Sequence, residues 1–167
     1  MLFRSGFYYR PRVDHTYLRE FSEGIICLSA CLGGEVQQHL MDNNYDKAKE
    51  IALIYDEIFG RGSFYLELQD HGIREQITVN DQLRRLSSET GIPLIATNDV
   101  HYLRRDDAKV HDVLLCVQTG KTVVDEERMR FPTEEFYLKS PEEMKALFPR
   151  DSEALSNTLS IAERCNV

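Results

Sequence analysis

Three residues in this sequence have the chemistry to share one metal ion: Cys31, Asp99 and His101. Asp99 and His101 stand two apart in Asn98-Asp99-Val100-His101, and on extended chain two such side chains project to the same face. A carboxylate oxygen with an imidazole nitrogen suits Zn²⁺, Mn²⁺ or Fe²⁺, and a thiolate from Cys31 moves the preference toward the softer end of that series. Each donor also has a plainer reading. Asp99 can cap a turn, His101 can be a half-buried structural histidine, and Cys31 can be a small buried hydrophobe. Position separates Cys31 from Cys27. Cys27 lies inside an apolar run, whereas Cys31 follows that run beside Gly33-Gly34, where backbone can approach closely.

Glu67 and His71 form a second tier, better placed to support ligands than to ligate. The plainer reading of Glu67, which alternates with Tyr65, is that it faces solvent or pairs with an arginine. Cys116 and Cys165 read as packing residues on helices, and His15, His39 and His111 read as surface residues in polar helical surroundings. Arg104 and Arg105 follow the Asp99/His101 pair and either meet a phosphate there or sit on a solvated helix start. Gly120-Lys121-Thr122 imitates the end of a phosphate-binding loop, but Leu115 stands where that motif needs glycine, which excludes it.

The elements that must position these residues alternate between strands and helices. Short apolar runs at 24–29, 64–68 and 92–97 read as buried strands. Helical periodicity covers 45–59, with Asn43 or Asn44 at its start and Gly60 at its end, and also 74–90, closed by Gly91. A further helix, capped by Asp106, follows the third strand. Strands joined by helix-sized connections make a parallel sheet or part of a barrel. In such folds reactive side chains sit just past the carboxyl ends of strands. Cys31, then Glu67 with Asp70-His71, then Asp99 with His101 occupy that position after the three runs, so Cys31, Asp99 and His101 are expected to converge. After about Val117 the rhythm changes to a polar loop, a short extended Phe136-Tyr137-Leu138 and two helices, the first opened by the capping box Ser140-Pro141-Glu142-Glu143.

Composition bounds the reading. The chain has 167 residues, 42% of them hydrophobic, and a formal net charge of −8, which fits one domain or part of one and argues against a broad phosphate-gripping surface. Its four cysteines form no C-x-x-C pair, which suggests a reducing cytoplasm. No apolar run reaches the roughly 20 residues of a membrane span. Residues 1–5 fit nothing that follows and read as a scar or unstructured start, and the chain reads as a fragment.

Longer motifs carry a resemblance. Ser29-Ala30-Cys31-Leu32-Gly33-Gly34-Glu35, the run from Phe64 through Asp70-His71-Gly72, Ala96-Thr97-Asn98-Asp99-Val100-His101-Tyr102, His111-Asp112-Val113-Leu114-Leu115-Cys116, Arg130-Phe131-Pro132-Thr133 and Ile161-Ala162-Glu163-Arg164-Cys165 together resemble the bacterial DNA polymerase III α subunit family. The likeness lies in the later part of that family's metal-binding polymerase and histidinol phosphatase (PHP) domain. It implies an α/β fold, a partial (βα) barrel of the distorted PHP type at 6–117. A mainly helical segment at 118–167 would lead toward the polymerase core. It matches Cys31 to the family's cysteine ligand and Asp99 and His101 to its last D-x-H pair, with Zn or Mn expected at this site and Mg for the parent polymerase. The other family ligands, including an opening H-x-H motif, and the polymerase carboxylates belong to segments not represented here, so the segment alone is expected to be inactive. The implied function is replicative DNA-directed DNA polymerase, with this part serving as a metal-dependent 3′–5′ exonuclease or phosphoesterase. Implied partners are DNA, a proofreading exonuclease subunit, the sliding clamp and other replicase subunits. The alternatives are a metal-free module that docks the exonuclease, or a free-standing PHP-type phosphatase.

Overall fold

A computed structural model of the chain describes residues 7–8 and 10–165. The expectation for residues 1–5 lies outside them. The first described elements, β1 (Phe7–Tyr8) and β2 (Arg10–Pro11), pair antiparallel. Helix α1 (His15–Glu20) follows, its start fixed by the Asp14 carboxylate accepting the Tyr17 N–H at 3.0 Å.

The site rests on a parallel sheet of β3 (Cys27–Leu28), β4 (Phe64–Leu68) and β5 (Leu94–Ala96), with β4 in the centre. Glu67 stands opposite Ile95 and Cys27 opposite Phe64. The β3 to β4 connection carries α2 (Glu35–Met41) and α3 (Tyr45–Phe59), and the β4 to β5 connection carries α4 (Arg74–Thr90). Along α3, Ala48, Ile51, Ala52 and Ile58 form the buried stripe, and along α4 Val79, Leu83 and Leu86 do the same. Ala48, Ile51 and Ala52 of the first stripe and all three residues of the second join Leu66 and Leu68 of β4 in one core. Chain-local signals set the helix ends. Asn44 accepts the Lys47 N–H, and Gly91 takes the left-handed conformation at φ 78° while its N–H donates to Ser87 O, a geometry that favours glycine.

Past β5 the chain makes a 3₁₀ turn (Arg105–Asp107), then α5 (Ala108–Thr119), a long irregular loop, α6 (Pro141–Leu147) and α7 (Ser152–Arg164). The capping box is formed: Ser140 Oγ accepts the Glu143 N–H at 3.2 Å and Glu143 Oε2 accepts the Ser140 N–H at 2.7 Å. Asn157 of α7 donates to the Leu94 carbonyl at 2.7 Å, so α7 satisfies part of the open edge of β5. Arg84 of α4 grips the buried Asp151 at the head of α7 through Nε and Nη2, at 2.9 and 2.8 Å.

Four expectations change. The first strand shrinks to two residues, because Gly24 turns at φ 73° and Ile25 is half exposed. The third keeps only its middle. Asp106 does not cap the next helix; instead Asp107 accepts the Arg104 N–H at 2.9 Å and opens the 3₁₀ turn. The α/β class holds, but the partial barrel is not established: barrel closure requires further strands on both sides, and among the described residues β3 and β5 each pair on one side only.

Candidate functional site

Because the three strands are parallel, their carboxyl ends lie at one side of the sheet, and the Glu67 carboxylate knots those ends together. It is buried at the end of β4. Its Oε2 accepts the Ala30 N–H at 3.1 Å, and its Oε1 accepts from Gln69 Nε2 at 2.8 Å and from the Thr97 hydroxyl. Glu67 therefore neither faces solvent nor meets an arginine. Ala30 is held at φ 67°, which costs an alanine about 1 kcal/mol or more. Its N–H is taken by Glu67, and its carbonyl accepts from Gln37 Nε2 at 2.9 Å. That strained step delivers Cys31 to the surface, where its thiol is exposed. Cys27, one turn of chain earlier, packs against the core, and burial, then the charge of Glu67, pushes its thiol up to about 11.

After β5 the chain does not remain extended. Asp99 adopts φ 44°, a tight left-handed step that brings its carbonyl within 2.9 Å of His101 Nδ1 and its Oδ1 within 3.9 Å of the same nitrogen. A carbonyl oxygen only accepts, so Nδ1 carries the proton and Nε2 keeps its lone pair, the tautomer a metal-binding imidazole needs. His71 lies beneath. Its Nε2 donates to Asn98 O at 3.1 Å, and its Nδ1 accepts from Gln76 Nε2 at 2.9 Å, while its ring stacks on Phe136 at 4.0 Å. Both nitrogens are engaged, and burial lowers its pKa. His71 is thus a neutral brace for the Asn98-Asp99 backbone.

Sequence reasoning missed the aromatic wall of this corner. Phe131 lies 4.7 Å from both the His101 and the His111 rings, and His111 lies 5.6 Å from His101. His111 is half-buried rather than a surface residue, and its pKa is lowered by burial and then by His101. The wall assembles because residues 136–138 return beside the β5 exit: His101 N–H donates to Phe136 O at 2.8 Å, and Leu138 N–H donates to Tyr102 O at 3.1 Å. Arg105 pairs with Glu135 at 2.6 Å instead of facing the site. Cys116 is buried as expected, and Cys165 is exposed.

Asp99 and His101 thus come together, and Cys31 is not grouped with them: among the described residues no three His, Cys, Asp or Glu side chains are placed to hold a metal ion. The separation has a simple cause. Cys31 follows β3 and the pair follows β5, with β4 between them, a span of roughly 10 Å at ordinary strand spacing. The donor types and the His101 tautomer fit a divalent ion, while a full ligand group is not assembled by these residues.

Comparison with known proteins bears on the whole chain. Residues 2–71 match the family described as PHP domain. DNA polymerase III subunit alpha of Borreliella burgdorferi is 48% identical over 96% of this chain and 14% of its own length. The Helicobacter pylori (strain J99) protein of the same name is 49% identical over 99% of this chain and 14% of its own length, and that of Deinococcus radiodurans is 46% identical over 99% and 12%. The chain therefore spans about one seventh of the length of these relatives. No helix among the described residues is long and apolar enough to cross a membrane. Over the stretch that it spans, this chain belongs to the DNA polymerase III subunit alpha family, and its first part is PHP-domain sequence.

Proposed function

We propose that this segment contributes Cys31, Asp99 and His101 to a divalent-metal site in the PHP domain of a replicative DNA-directed DNA polymerase, where they support a 3′–5′ exonuclease or phosphoesterase activity. The observation that carries the reading is the single Glu67 carboxylate tying the Cys31 loop to the β5 exit that leads into Asp99 and His101. A bound Zn or Mn ion supplies Lewis-acid polarisation of a phosphoryl oxygen and an activated water. The chain's own part is to set the donors. Asp99 holds the His101 ring with Nε2 free to bind, His71 braces the Asn98 carbonyl, and the strained Ala30 presents the thiol. DNA, a proofreading exonuclease subunit, the sliding clamp and other replicase subunits are the partners this assignment implies for the parent, which also uses Mg for synthesis.

A second reading, a metal-free module that docks a proofreading exonuclease, draws support from an apolar groove of about 740 Å³ lined by Leu138, Met144, Leu155 and Leu159. One experiment separates the two. Full-length parent, purified free of other subunits, is given a single-stranded oligonucleotide labelled near its 3′ end. Under the metal reading wild type shortens it, chelation and His101→Ala stop the shortening, and polymerisation by the variant persists. Wild type that never shortens the oligonucleotide, with or without added Zn or Mn, rejects the activity.

A further inference from the structure

Beside His111 lies a cavity of about 360 Å³, walled by Lys109, His111, Asp112, Arg128, Arg130 and Phe131, among others. Its electrostatics run against those of the chain, whose net charge is −8. Arg128 is held by Asp112 through two hydrogen bonds of 2.5 and 2.6 Å, and only 5% of its side chain is exposed. That pair leaves Nε buried with no acceptor, and an Nε–H can only donate. Buried guanidinium donors are ordinarily satisfied, and Arg128 is one of the residues that line the cavity. The wall holds the cations Lys109, Arg128 and Arg130 against the carboxylates Asp112 and Glu134, three against two, so one positive charge is in excess with histidine neutral. Arg130 is exposed and donates to the Asp125 carbonyl at 3.0 Å, which aligns its guanidinium without neutralising it.

Phosphate supplies what such a wall lacks: negative charge and several acceptor oxygens, for which arginine is the geometrically matched donor. Phe131 and Tyr102 also line the cavity, aromatic residues of the kind that suit a base or sugar, and the volume is that of a small-molecule pocket. We propose that this cavity is a phosphate-binding subsite that accepts the phosphate of a nucleotide, with Arg128, Arg130 and Lys109 as its cationic wall. Its place in phosphodiester cleavage rests on the metal reading above, whereas its capacity to hold phosphate does not.

The test uses full-length parent protein in chelator, with phenylglyoxal as an arginine reagent and peptide mass spectrometry to follow modification of Arg130. Saturating dTMP or inorganic phosphate should slow that modification roughly tenfold, thymidine should leave it unchanged, and Arg128→Lys or Lys109→Gln should raise the concentration needed by roughly tenfold, the effect of one charge-assisted hydrogen bond. Protection at lower dTMP than phosphate identifies a nucleotide as the occupant, and protection at equal concentrations identifies the phosphate group alone; both support the subsite. No protection by either ligand, or protection unaltered in both variants, overturns it. Because chelator is present throughout, protection in a protein that proves to contain no metal leaves the subsite standing and removes the metal reading, and the converse result does the reverse.

Discussion

The carboxylate of Glu67 accepts the main-chain N–H of Ala30 at 3.1 Å across 37 residues of sequence, at a residue that carries a left-handed φ of 67°. Three donors, the Ala30 amide, the Gln69 amide and the Thr97 hydroxyl, face this one acceptor-only group. Glu67→Gln replaces one oxygen by an NH₂ that meets a donor, so at least one of them loses its partner. The expected cost is about 1–3 kcal/mol, read as a lower denaturant midpoint with unchanged slope. A midpoint equal to wild type would mean that the carboxylate does not hold the strand ends.

Thiol chemistry should divide the four cysteines. Cys31 and Cys165 are exposed, Cys116 is buried, and Cys27 is held near pKa 11 by burial and then by Glu67. Since the thiolate is the reactive form, iodoacetamide at mildly alkaline pH should label Cys31 and Cys165 quickly and leave Cys27 and Cys116 unmodified in the folded protein. Added Zn should slow labelling of Cys31 and not of Cys165. Labelling of Cys27 as fast as Cys31 would contradict the packing of Cys27 against the core.

The ends of α3, α4 and α6 were legible in the sequence because their signals are local: Asn44, Gly91 and the Ser140/Glu143 box act within a turn of where they stand. The limits of β4 were legible as well, whereas those of β3 and β5 were not, since the length of β3 depends on how much of it β4 pairs with. The same non-locality hid the site's organisation. Alternation along β4 left open that Glu67 faces outward, yet β4 is central and buried along its whole length, and two of the three donors to the Glu67 carboxylate come from distant loops. The Asp99/His101 pairing was legible by type but not by cause, because it arises from a turn at Asp99 rather than from strand alternation. His111 looked like a surface residue because its cover, Phe131, comes from the loop after its own helix.

Stability should depend on pH through His71. Burial lowers its pKa below the ordinary 6.5, so as pH falls the unfolded chain takes up the proton first. Its contribution is therefore complete above about pH 6.5 and is lost as pH drops toward the folded value. Denaturant midpoints should be level between about pH 8 and about pH 7 and fall by about pH 5.5, with the His71 ring titrating below free imidazole by NMR. A ring that titrates at or above 6.5 would contradict its role as a neutral brace.

Elemental analysis of full-length parent protein bears most directly on the metal assignment, with wild type beside Cys31→Ser and Asp99→Asn. Cys31→Ser trades a thiolate for a neutral hydroxyl, and Asp99→Asn removes the charge while keeping the shape. Wild type should retain stoichiometric Zn or Mn through gel filtration and lose it on acidification, because the donors bind only when deprotonated. Each variant should bind at least about tenfold more weakly, since loss of even an outer supporting partner costs that much, and polymerisation should be largely spared. Equal, near-zero metal in all three proteins would contradict the assignment and leave these residues as relics in a docking module.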